Sequence, residues 1–463
     1  MNRTEAGDSR ILHSAMITSF MTTFMSSALN LSIPALESYF SVSARTVSWV
    51  VSAYTISIAA MSLPMGRISD LSGRRKMFLS GISGFGILCL LCIFAPSIGA
   101  VITIRVLMGI MGAMIFATNN SILISSYPAS QRGRVLGYSV AATYIGLTAG
   151  PVAGGILNSI LGWRSIFAVS VLVSCTAFFL AFRAVPADRP DRAAGESGTD
   201  VAGTVLYTAA IAASLYGMTN LGGGVVSAAV MIAGIAGLAA FFIHESRREA
   251  AGGGTVMKVS MFSQSRTFTF SSLAALLNYG ATFAISYNIS IYLQVILGIP
   301  SGTAGLMLVV MPAVQAAFSP LTGSLSDRVR PAILASSGMG ICAAALLLFS
   351  RISETTSVWY ILGVLFITGA GFALFSSPNT NAILSCVKPQ DYGVANSIIA
   401  TMRTYGQSSG MAVLSIITAA VLGNGSLESS PAADILRLMH ISFLVFSAIC
   451  VVGLFFSLAR DRQ

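Results

Sequence analysis

The side chains that could do chemistry in this chain are its few charged residues, and these are unevenly placed. Only 9% of the 463 residues are charged, yet the stretch from Gly66 to Lys76, GRISDLSGRRK, holds four cations and one aspartate, Asp70. Cations in a short loop between apolar runs can hold the topology of a membrane protein. That role does not explain the aspartate or the glycines, so the loop is a candidate functional element.

Two arginines, Arg105 and Arg403, lie deep inside apolar runs. A charge at that depth is costly and usually functional. For Arg403 the alternative is a structural side chain bonded to backbone carbonyls. With no acid beside them, the two cations would make a central cavity net positive, which disfavours organic dications and tolerates neutral or anionic lipophiles.

The carboxylates are also candidates, because exchange of protons needs a group that titrates while facing each side of a membrane in turn. All sixteen fall in loops or at the ends of apolar runs. The main candidates are Glu37, at the predicted outer mouth, and Asp70, in an inner loop; Asp327, His13 and His440 are weaker ones. The alternative for each is a solvated residue at the membrane interface.

Polar and aromatic side chains inside apolar runs are candidates for lining a cavity between helices. Amide and aromatic groups among methionines suit adaptable binding of small molecules. The alternative for each residue is a hydrogen bond between helices. The candidates are Asn30, Asn119, Asn120, Tyr144, Asn278, Tyr279, Tyr287, Asn288, Gln315 and Gln407.

The elements that must position these residues are membrane helices. Hydrophobic residues make up 55% of the chain and the mean hydropathy is +0.81, whereas about 25% of residues are charged in a soluble domain. Fourteen apolar runs are each long enough to cross a bilayer as a helix, which takes about 20 residues. We therefore expect an all-α membrane protein with fourteen transmembrane helices.

The same inventory argues against several other classes. The six cysteines lie in apolar runs, and the Cys89–Cys92 pair lacks a second pair or nearby histidines, so neither disulfides nor a metal site is expected. We find neither a phosphate-binding G-x-x-x-x-G-K-[ST] loop nor a cluster of nucleophile, base and acid. We expect no enzyme activity, no cofactor and no nucleic-acid partner, since topology explains the basic loops.

The basic residues predict an orientation. With the N-terminus inside, twenty of the 26 lysines and arginines fall in predicted inner segments and four in outer ones. Because lysine and arginine favour the cytoplasmic side, we expect a multi-pass protein of the plasma membrane with both termini in the cytoplasm.

Three pairs of segments repeat in the same order along the chain. PMGRISD from Pro64 is similar to PLTGSLSD from Pro320, and NSILISSYP from Asn120 is similar to NAILSCVKP from Asn381. Glycines with the spacing G-x12-G-x3-G begin at Gly133 and at Gly393. Self-similarity of this kind predicts two homologous halves. Paired halves are typical of transporters that rock around a site between them.

The predicted organisation follows from the repeat. A six-helix bundle covers residues 1–182, a linker 183–200, an inserted two-helix hairpin 201–243, a second linker 244–266, and a second six-helix bundle 267–463. The hairpin has no counterpart in the repeat. Because two added helices preserve orientation, both repeated loops stay cytoplasmic.

Taken together, these features resemble the major facilitator superfamily, specifically its fourteen-span drug:proton antiporter branch. The superfamily's loop pattern G-x-x-x-D-x-x-G-R-R-K/R is matched at Gly66, Asp70, Gly73, Arg74, Arg75 and Lys76. The resemblance implies the major facilitator fold. It also implies that Asp70 meets a helix end or an arginine of the opposite half and locks the outward-open state, with Asp327 in the matching loop of the second half.

The segment GLTAGPVAGG resembles the antiporter signature of span five, at Gly146, Gly150, Pro151, Gly154 and Gly155. Glycines spaced by four allow close approach of two helices, and the proline bends its helix. The resemblance adds that this helix seals the two halves on the outer side. Packing alone would explain the glycines equally well.

The chain departs from the family pattern at two places. Arg105 and Gly109 match the span-four pattern R-x-x-Q-G, but Met108 replaces its glutamine. Relatives in this branch typically carry an aspartate in span one that is implicated in proton and cation handling, and Met25 stands in its place. The usual proton carrier is therefore missing.

The leading hypothesis is a secondary active exporter of lipophilic small molecules, working by alternating access in exchange for protons and acting as a monomer in the bilayer. The first alternative is an uncoupled or differently coupled exporter of an anionic metabolite or lipid. The second, from another class, is a membrane sensor that keeps the fold but does not transport.

Overall fold

The computed structural model describes residues 9–29, 32–187, 200–221, 224–422 and 431–460, and in these ranges the chain forms helices and no strands. The first half contains α1 Ser9–Ser27, α2 Ile33–Phe40, α3 Ala44–Ser72, α4 Arg74–Ile93, α5 Ile98–Ser126, α6 Arg132–Leu161 and α7 Arg164–Ala184. Its core is one cluster of buried side chains that includes Met25, Tyr54, Phe85 and Phe167.

The second half contains α11 Arg266–Ile291, α12 Ser301–Leu308, α13 Val310–Ser326, α14 Pro331–Phe349, α15 Val358–Ser385, α16 Tyr392–Leu422 and α17 Ala432–Ala459. Its core is a second cluster, built around Phe349, Phe375, Phe443 and Phe446. We call the end of the helices that carries Asp70, Arg74 and Asp327 the basic end, and the opposite end the far end.

Between the halves lie α8 Val201–Thr219 and α9 Val225–Ala250, followed by the short α10 Ser260–Gln264. A third apolar cluster joins this hairpin to α3 and α16 through Leu63, Tyr207, Phe241 and Ile398. The Tyr207 hydroxyl lies 2.9 Å from the Thr401 hydroxyl of α16, and the Thr208 hydroxyl donates to the carbonyl of Ala60 in α3. The hairpin therefore contacts both halves.

Polar contacts fix the base of the hairpin. Asp200 accepts a hydrogen bond from the backbone N–H of Ala202 at the start of α8, and its other carboxylate oxygen lies 2.6 Å from Nε2 of His244. Glu245 accepts from the backbone N–H groups of Val256 and Met257. Ligand atoms of Asp200, His244 and Glu245 lie within 4.8 Å of one another, a grouping that the sequence analysis did not find.

Thirteen helices in the described residues are long and apolar enough to cross a membrane. The remaining candidate for the predicted fourteen is α1, whose 19 residues include many serines and threonines. The apolar run of the sequence from Ile11 to Leu36 is divided in the structure, since α1 ends at Ser27 and α2 begins at Ile33. Pro34 explains the new start, because proline suits the first turn of a helix but not its interior.

Candidate functional site

At the basic end, α3 of the first half meets α16 of the second half at a pair of glycines. A Cβ atom added to Gly66 would lie 2.6 Å from the carbonyl oxygen of Gly393, and one added to Gly393 would lie 2.6 Å from that of Gly66. The two backbones are thus in direct contact, and only glycine permits that approach. We call this contact the first crossing.

Asp70 holds the first crossing together. Its two carboxylate oxygens accept hydrogen bonds of 3.0 Å from the backbone N–H groups of Gly393 and Val394, at the start of α16. Its side chain is only 2% exposed and lies 3.0 Å from Nη2 of Arg74. A helix N-terminus carries partial positive charge and free N–H groups, so it binds a carboxylate well.

The second crossing joins α6 of the first half to α13 of the second half in the same way. A Cβ on Gly133 would clash with the carbonyl of Gly323, and the reverse also holds. Asp327 accepts hydrogen bonds from the backbone N–H of Gly133 at 2.6 Å and of Arg134 at 3.0 Å, at the start of α6. Burial raises the pKa of the Asp327 carboxyl above its ordinary value.

The remaining residues of the loop pattern have separate partners. Gly73 has a φ of 106° and links α3 to α4, a backbone conformation that favours glycine. Arg74 also donates to the carbonyl of Pro389 and lies over the Tyr392 ring, so it reaches the second half. Arg75 instead donates to the carbonyl of Phe182 in α7 at 2.8 Å.

A central cavity lies between the halves, on the far side of the crossings. A polar compartment of about 50 Å³ adjoins a larger one of about 250 Å³. The larger compartment reaches Thr22 and Ser26 near the end of α1 and Leu308 and Met311 near the start of α13, so it extends toward the far end. The described halves are therefore closed together at the basic end.

The structure places six of the ten proposed cavity residues in the walls of the two compartments: Asn119, Asn120, Tyr144, Tyr279, Gln315 and Gln407. It does not place Asn278, Tyr287 or Asn288 there. Asn278 and Asn288 are fully buried, and Tyr287 packs against the core of the second half. On α11 the cavity is faced by Tyr279, Thr282, Phe283 and Ser286, at helical spacing. Asn30 lies outside the described residues.

The two intramembrane arginines have different surroundings. Arg403 lines both compartments and lies 4.9 Å from the centre of the Phe116 ring, with no ion pair to a carboxylate in the described chain. Arg105 is fully buried, donates to the carbonyls of Val50 and Met25, and stacks on Tyr54. The expectation that both arginines charge the cavity is therefore wrong for Arg105, because backbone carbonyls of its own half solvate it.

Three glycines of the span-five signature on α6, Gly146, Gly150 and Gly154, pack inside the first half. A Cβ on Gly146 would meet the carbonyl of Phe20, and Cβ atoms on Gly150 and Gly154 would meet Ser27 and Ala28, all on α1 or just after it. Pro151 lies within the same helix, and Gly155 is half-buried. These contacts correspond to the packing alternative. A seal between halves by this helix stays a prediction.

Glu37 lies half-buried on α2, and its carboxylate makes no hydrogen bond or ion pair with the described residues. It does not line either compartment of the central cavity. Among the described residues, the lining of both compartments contains no carboxylate at all.

Sequence reasoning missed Asn396, which links the halves beneath the cavity. Asn120 donates to the side-chain oxygen of Asn396 at 2.8 Å, and Asn396 donates to the carbonyl of Phe116. The signal was available, because Asn396, Arg403 and Gln407 are spaced by seven and four residues and so share one face of α16.

Comparison with known proteins bears on the identity of this architecture. The profile described as Major Facilitator Superfamily matches residues 15–248 and 271–463. Riboflavin transporter RibZ of Clostridioides difficile (strain 630) is 26% identical over 445 residues, covering 96% of this chain and 95% of the relative. Multidrug resistance protein Stp of Mycobacterium tuberculosis (strain ATCC 25618 / H37Rv) is 29% identical over 409 residues, covering 87% and 74%.

A solved structure shares the fold. The crystal structure of the human organic anion transporter MFSD10 (TETRAN) matches with a TM-score of 0.70, covering 98% of this chain and 100% of that chain at 13% identity. The predicted major facilitator fold is thus confirmed, while the count of fourteen spans stays a prediction. From its matched profile, its apolar helices and its relatives, the chain belongs to the Major Facilitator Superfamily and is a multi-pass membrane transporter of small molecules.

Proposed function

We propose that this transporter exports lipophilic small molecules by alternating access, in exchange for protons. The observation that carries the proposal is the pair of crossings, which close one end of the two halves while the cavity extends toward the other. Two contacts with the same geometry can open together if the halves tilt. The relative Stp is a multidrug resistance protein, which supports export of varied compounds.

The orientation and the organisation are part of the proposal. The excess of basic residues at the basic end supports a cytoplasmic position for that end and for both termini, in the plasma membrane. In that orientation the described state faces outward, with Asp70 and Asp327 as the latches. We include α1 as the fourteenth span, keep the two bundles and the hairpin as units, and expect a monomer.

A second candidate substrate class is favoured by Arg403. It is the sole charged side chain among the described residues that line the cavity, and no carboxylate balances it. A desolvated guanidinium binds carboxylates and other planar anions with paired hydrogen bonds. An anionic metabolite or lipid is therefore the alternative substrate, with or without proton exchange.

Proton coupling cannot run through an acid in the described cavity wall, because that wall contains none. The proposed carrier is Asp70, whose carboxylate is buried when the basic end is closed and would meet water when it opens. Glu37 is the second candidate, from its position on α2 toward the far end. Transport by the Asp70→Asn and Glu37→Gln variants is compared with and without a pH gradient. The variant whose transport rate no longer responds to the gradient identifies the proton carrier.

The test uses the full chain reconstituted in proteoliposomes, with Nile red as an uncharged lipophilic probe and carboxyfluorescein as an anionic one. The proposal expects transport of Nile red that rises with an imposed pH gradient. Equal rates with and without the gradient would remove the exchange with protons. Transport of carboxyfluorescein alone, lost in Arg403→Gln, would favour the anionic class. If neither probe moves in either direction, both proposed substrate classes fail.

A further inference from the structure

A second pocket lies apart from the central cavity, between the hairpin and the two halves. Its volume is about 340 Å³. Residues from α3, the hairpin, the segment after it, α11 and α16 line it: Leu63, Tyr207, Ile211, Leu238, Phe241, Phe242, Met257, Phe262, Thr269, Ser272, Leu273, Leu276, Ile398, Thr401, Met402 and Tyr405. None of these side chains carries a charge, so the pocket differs in chemistry from the central cavity.

Helix α16 is the wall between the two spaces. Thr401, Met402 and Tyr405 face the second pocket, whereas Arg403, Thr404 and Gln407 face the central cavity. The two linings have no residue in common. A molecule in the second pocket would therefore be held separately from one in the central cavity.

The pocket contains one serine hydroxyl that has no partner among the described residues. Ser272 is 1% exposed, and its hydroxyl has no hydrogen-bond partner in the described chain. Many buried hydroxyls on membrane helices donate to a carbonyl of their own helix, as Thr282 does to the carbonyl of Asn278 at 2.8 Å. A buried hydroxyl without a partner is unfavourable, so this one calls for an acceptor.

The two threonine hydroxyls of the lining are already occupied. Thr401 pairs with Tyr207 at 2.9 Å, and Thr269 donates to the carbonyl of Phe262 at 2.5 Å. Ser272 is thus the one Ser or Thr of this lining available to a ligand. It would donate a single hydrogen bond within an apolar surround.

The pocket is placed so that a ligand could enter from the bilayer. Thr269 is three residues from the start of α11 and Ile398 is six residues from the start of α16, so the pocket lies near the basic end. Phe242, on its rim, is 40% exposed on α9. Because α9 turns most of its surface outward, that rim faces the hydrocarbon of the membrane.

We propose that this pocket binds an uncharged lipophile of drug-like size that carries one hydrogen-bond acceptor, which Ser272 contacts. Its volume lies in the usual range for small-molecule sites. A phospholipid headgroup finds no counter-charge among the lining residues, which favours a free lipophile over an anchored lipid. Leu63 of α3 and Ile398 of α16 both line the pocket, so the ligand would also stabilise the closed first crossing.

The proposal does not depend on export, and binding can be measured without transport. The probe is a fatty-acid methyl ester bearing a diazirine in its chain, added to the full protein in nanodiscs and photoactivated. Labelled peptides are expected within residues 266–276 and 398–405. The matching free acid, which is charged, is expected to label them much less. Equal labelling by the acid, or labelling confined to the central cavity, would overturn the proposal.

Two variants sharpen the test. Ser272→Ala should raise the probe concentration needed for half-maximal labelling about twofold to tenfold, the value of one hydrogen bond. Ser442→Ala should leave that concentration unchanged, because the Ser442 hydroxyl bonds to its own helix. Leu273→Trp should fill the pocket and abolish labelling, with Ile232→Trp, 63% exposed on α9, as its control. Unaltered labelling in Ser272→Ala and Leu273→Trp would refute the site.

The alternative occupant has its own arm. A phosphatidylglycerol with the same diazirine in one acyl chain is compared with the methyl ester, and each competes against the other. If the phospholipid labels the same peptides and displaces the ester, the occupant is a membrane lipid and the proposal of a free lipophile is wrong. A rise in melting temperature with the ester, absent in Leu273→Trp, would support stabilisation of the closed crossing.

Discussion

The two crossings at the basic end share one backbone geometry but differ in how each aspartate is held. At both, a glycine pair brings two helices into contact and a carboxylate accepts two backbone N–H bonds from a helix start. At the first crossing, Arg74 adds an ion pair to Asp70 at 3.0 Å. At the second, Asp327 forms no ion pair with the described residues, and Ser326 accepts a hydrogen bond from Asn381.

The two crossings share their glycines and their carboxylate but differ in the ion pair, so the ion pair is the part of the contact that can vary. Both halves keep the glycines and the carboxylate on the helix start, because no other side chain fits between the backbones and the partial charges of the N–H groups need an anion. The cation is present on one side alone. An ion pair adds less than the hydrogen bonds to a buried carboxylate, so the two sides can differ in it.

The largest effect is expected from Gly66→Ala and Gly133→Ala. Each added methyl group would press on a backbone carbonyl of the opposite half, so neither crossing could close. We expect transport to fall at least about tenfold in both, equivalent to ~1.4 kcal/mol. The control is Gly363→Ala, where a Cβ meets nothing within 4 Å. Normal transport by either crossing variant would break the comparison.

Asp70→Asn and Asp327→Asn should rank in that order. Each amide loses the charge that the helix start binds, but the first also removes the carboxylate that pairs with Arg74. We expect about a tenfold and about a threefold increase in opening, respectively. Opening is measured as maleimide labelling of Ser397→Cys, buried at the first crossing, with Cys175 and Cys386 replaced by serine. An equal or larger effect of Asp327→Asn contradicts the ranking.

Arg74→Ala should make the first crossing behave like the second. Its own effect on opening is expected to be smaller than that of Asp70→Asn, because the backbone N–H groups of Gly393 and Val394 still hold the carboxylate, although the contacts of Arg74 with Pro389 and Tyr392 are lost as well. In this background the labelling rates of Asp70→Asn and Asp327→Asn should converge to within about twofold. If the gap between them persists unchanged, the ion pair is not what distinguishes the two sides.

The smallest effect separates the serines. Ser69 and Ser326 both donate to the carbonyl of the crossing glycine, but Ser326 also accepts from Asn381. Ser326→Ala should therefore lower the free energy of unfolding about 1 kcal/mol more than Ser69→Ala, since it leaves an amide unpaired. Thermal melting of both variants in the same detergent measures this. Matching melting temperatures would show that Asn381 finds another acceptor.

Much of this architecture follows from glycine spacing. Gly133, Gly146 and Gly150 correspond to Gly393, Gly406 and Gly410, and each pair makes the same kind of contact, first with the opposite half and then within its own. Such positions hold their register because any side chain would separate the helices. The repeat predicted matching loops for this reason, and the family assignment it supported is confirmed.

The direction in which a buried side chain points could not be predicted in the same way. Arg105 and Arg403 are both deep in apolar runs, but depth does not determine which face of a helix meets the cavity. Arg105 donates to backbone carbonyls of its own half, whereas Arg403 makes no such bond with the described residues and lies beside the Phe116 ring. On α11, polar residues occupy both faces, so the sequence does not show which face meets the cavity. The packing of neighbouring helices places Tyr279, and not Asn278, in the cavity wall.

The bonds of α8 to Thr401 and Ala60 have a mechanical consequence. This helix lies across the contact between α3 and α16. Separation of those two helices must therefore break the hydrogen bonds of α8 to one of them or move the hairpin with one of them. The inserted hairpin therefore links the two halves, and the strength of its contacts with α3 and α16 sets how easily these two helices separate. The hairpin would then affect the transport rate without any contact with the substrate.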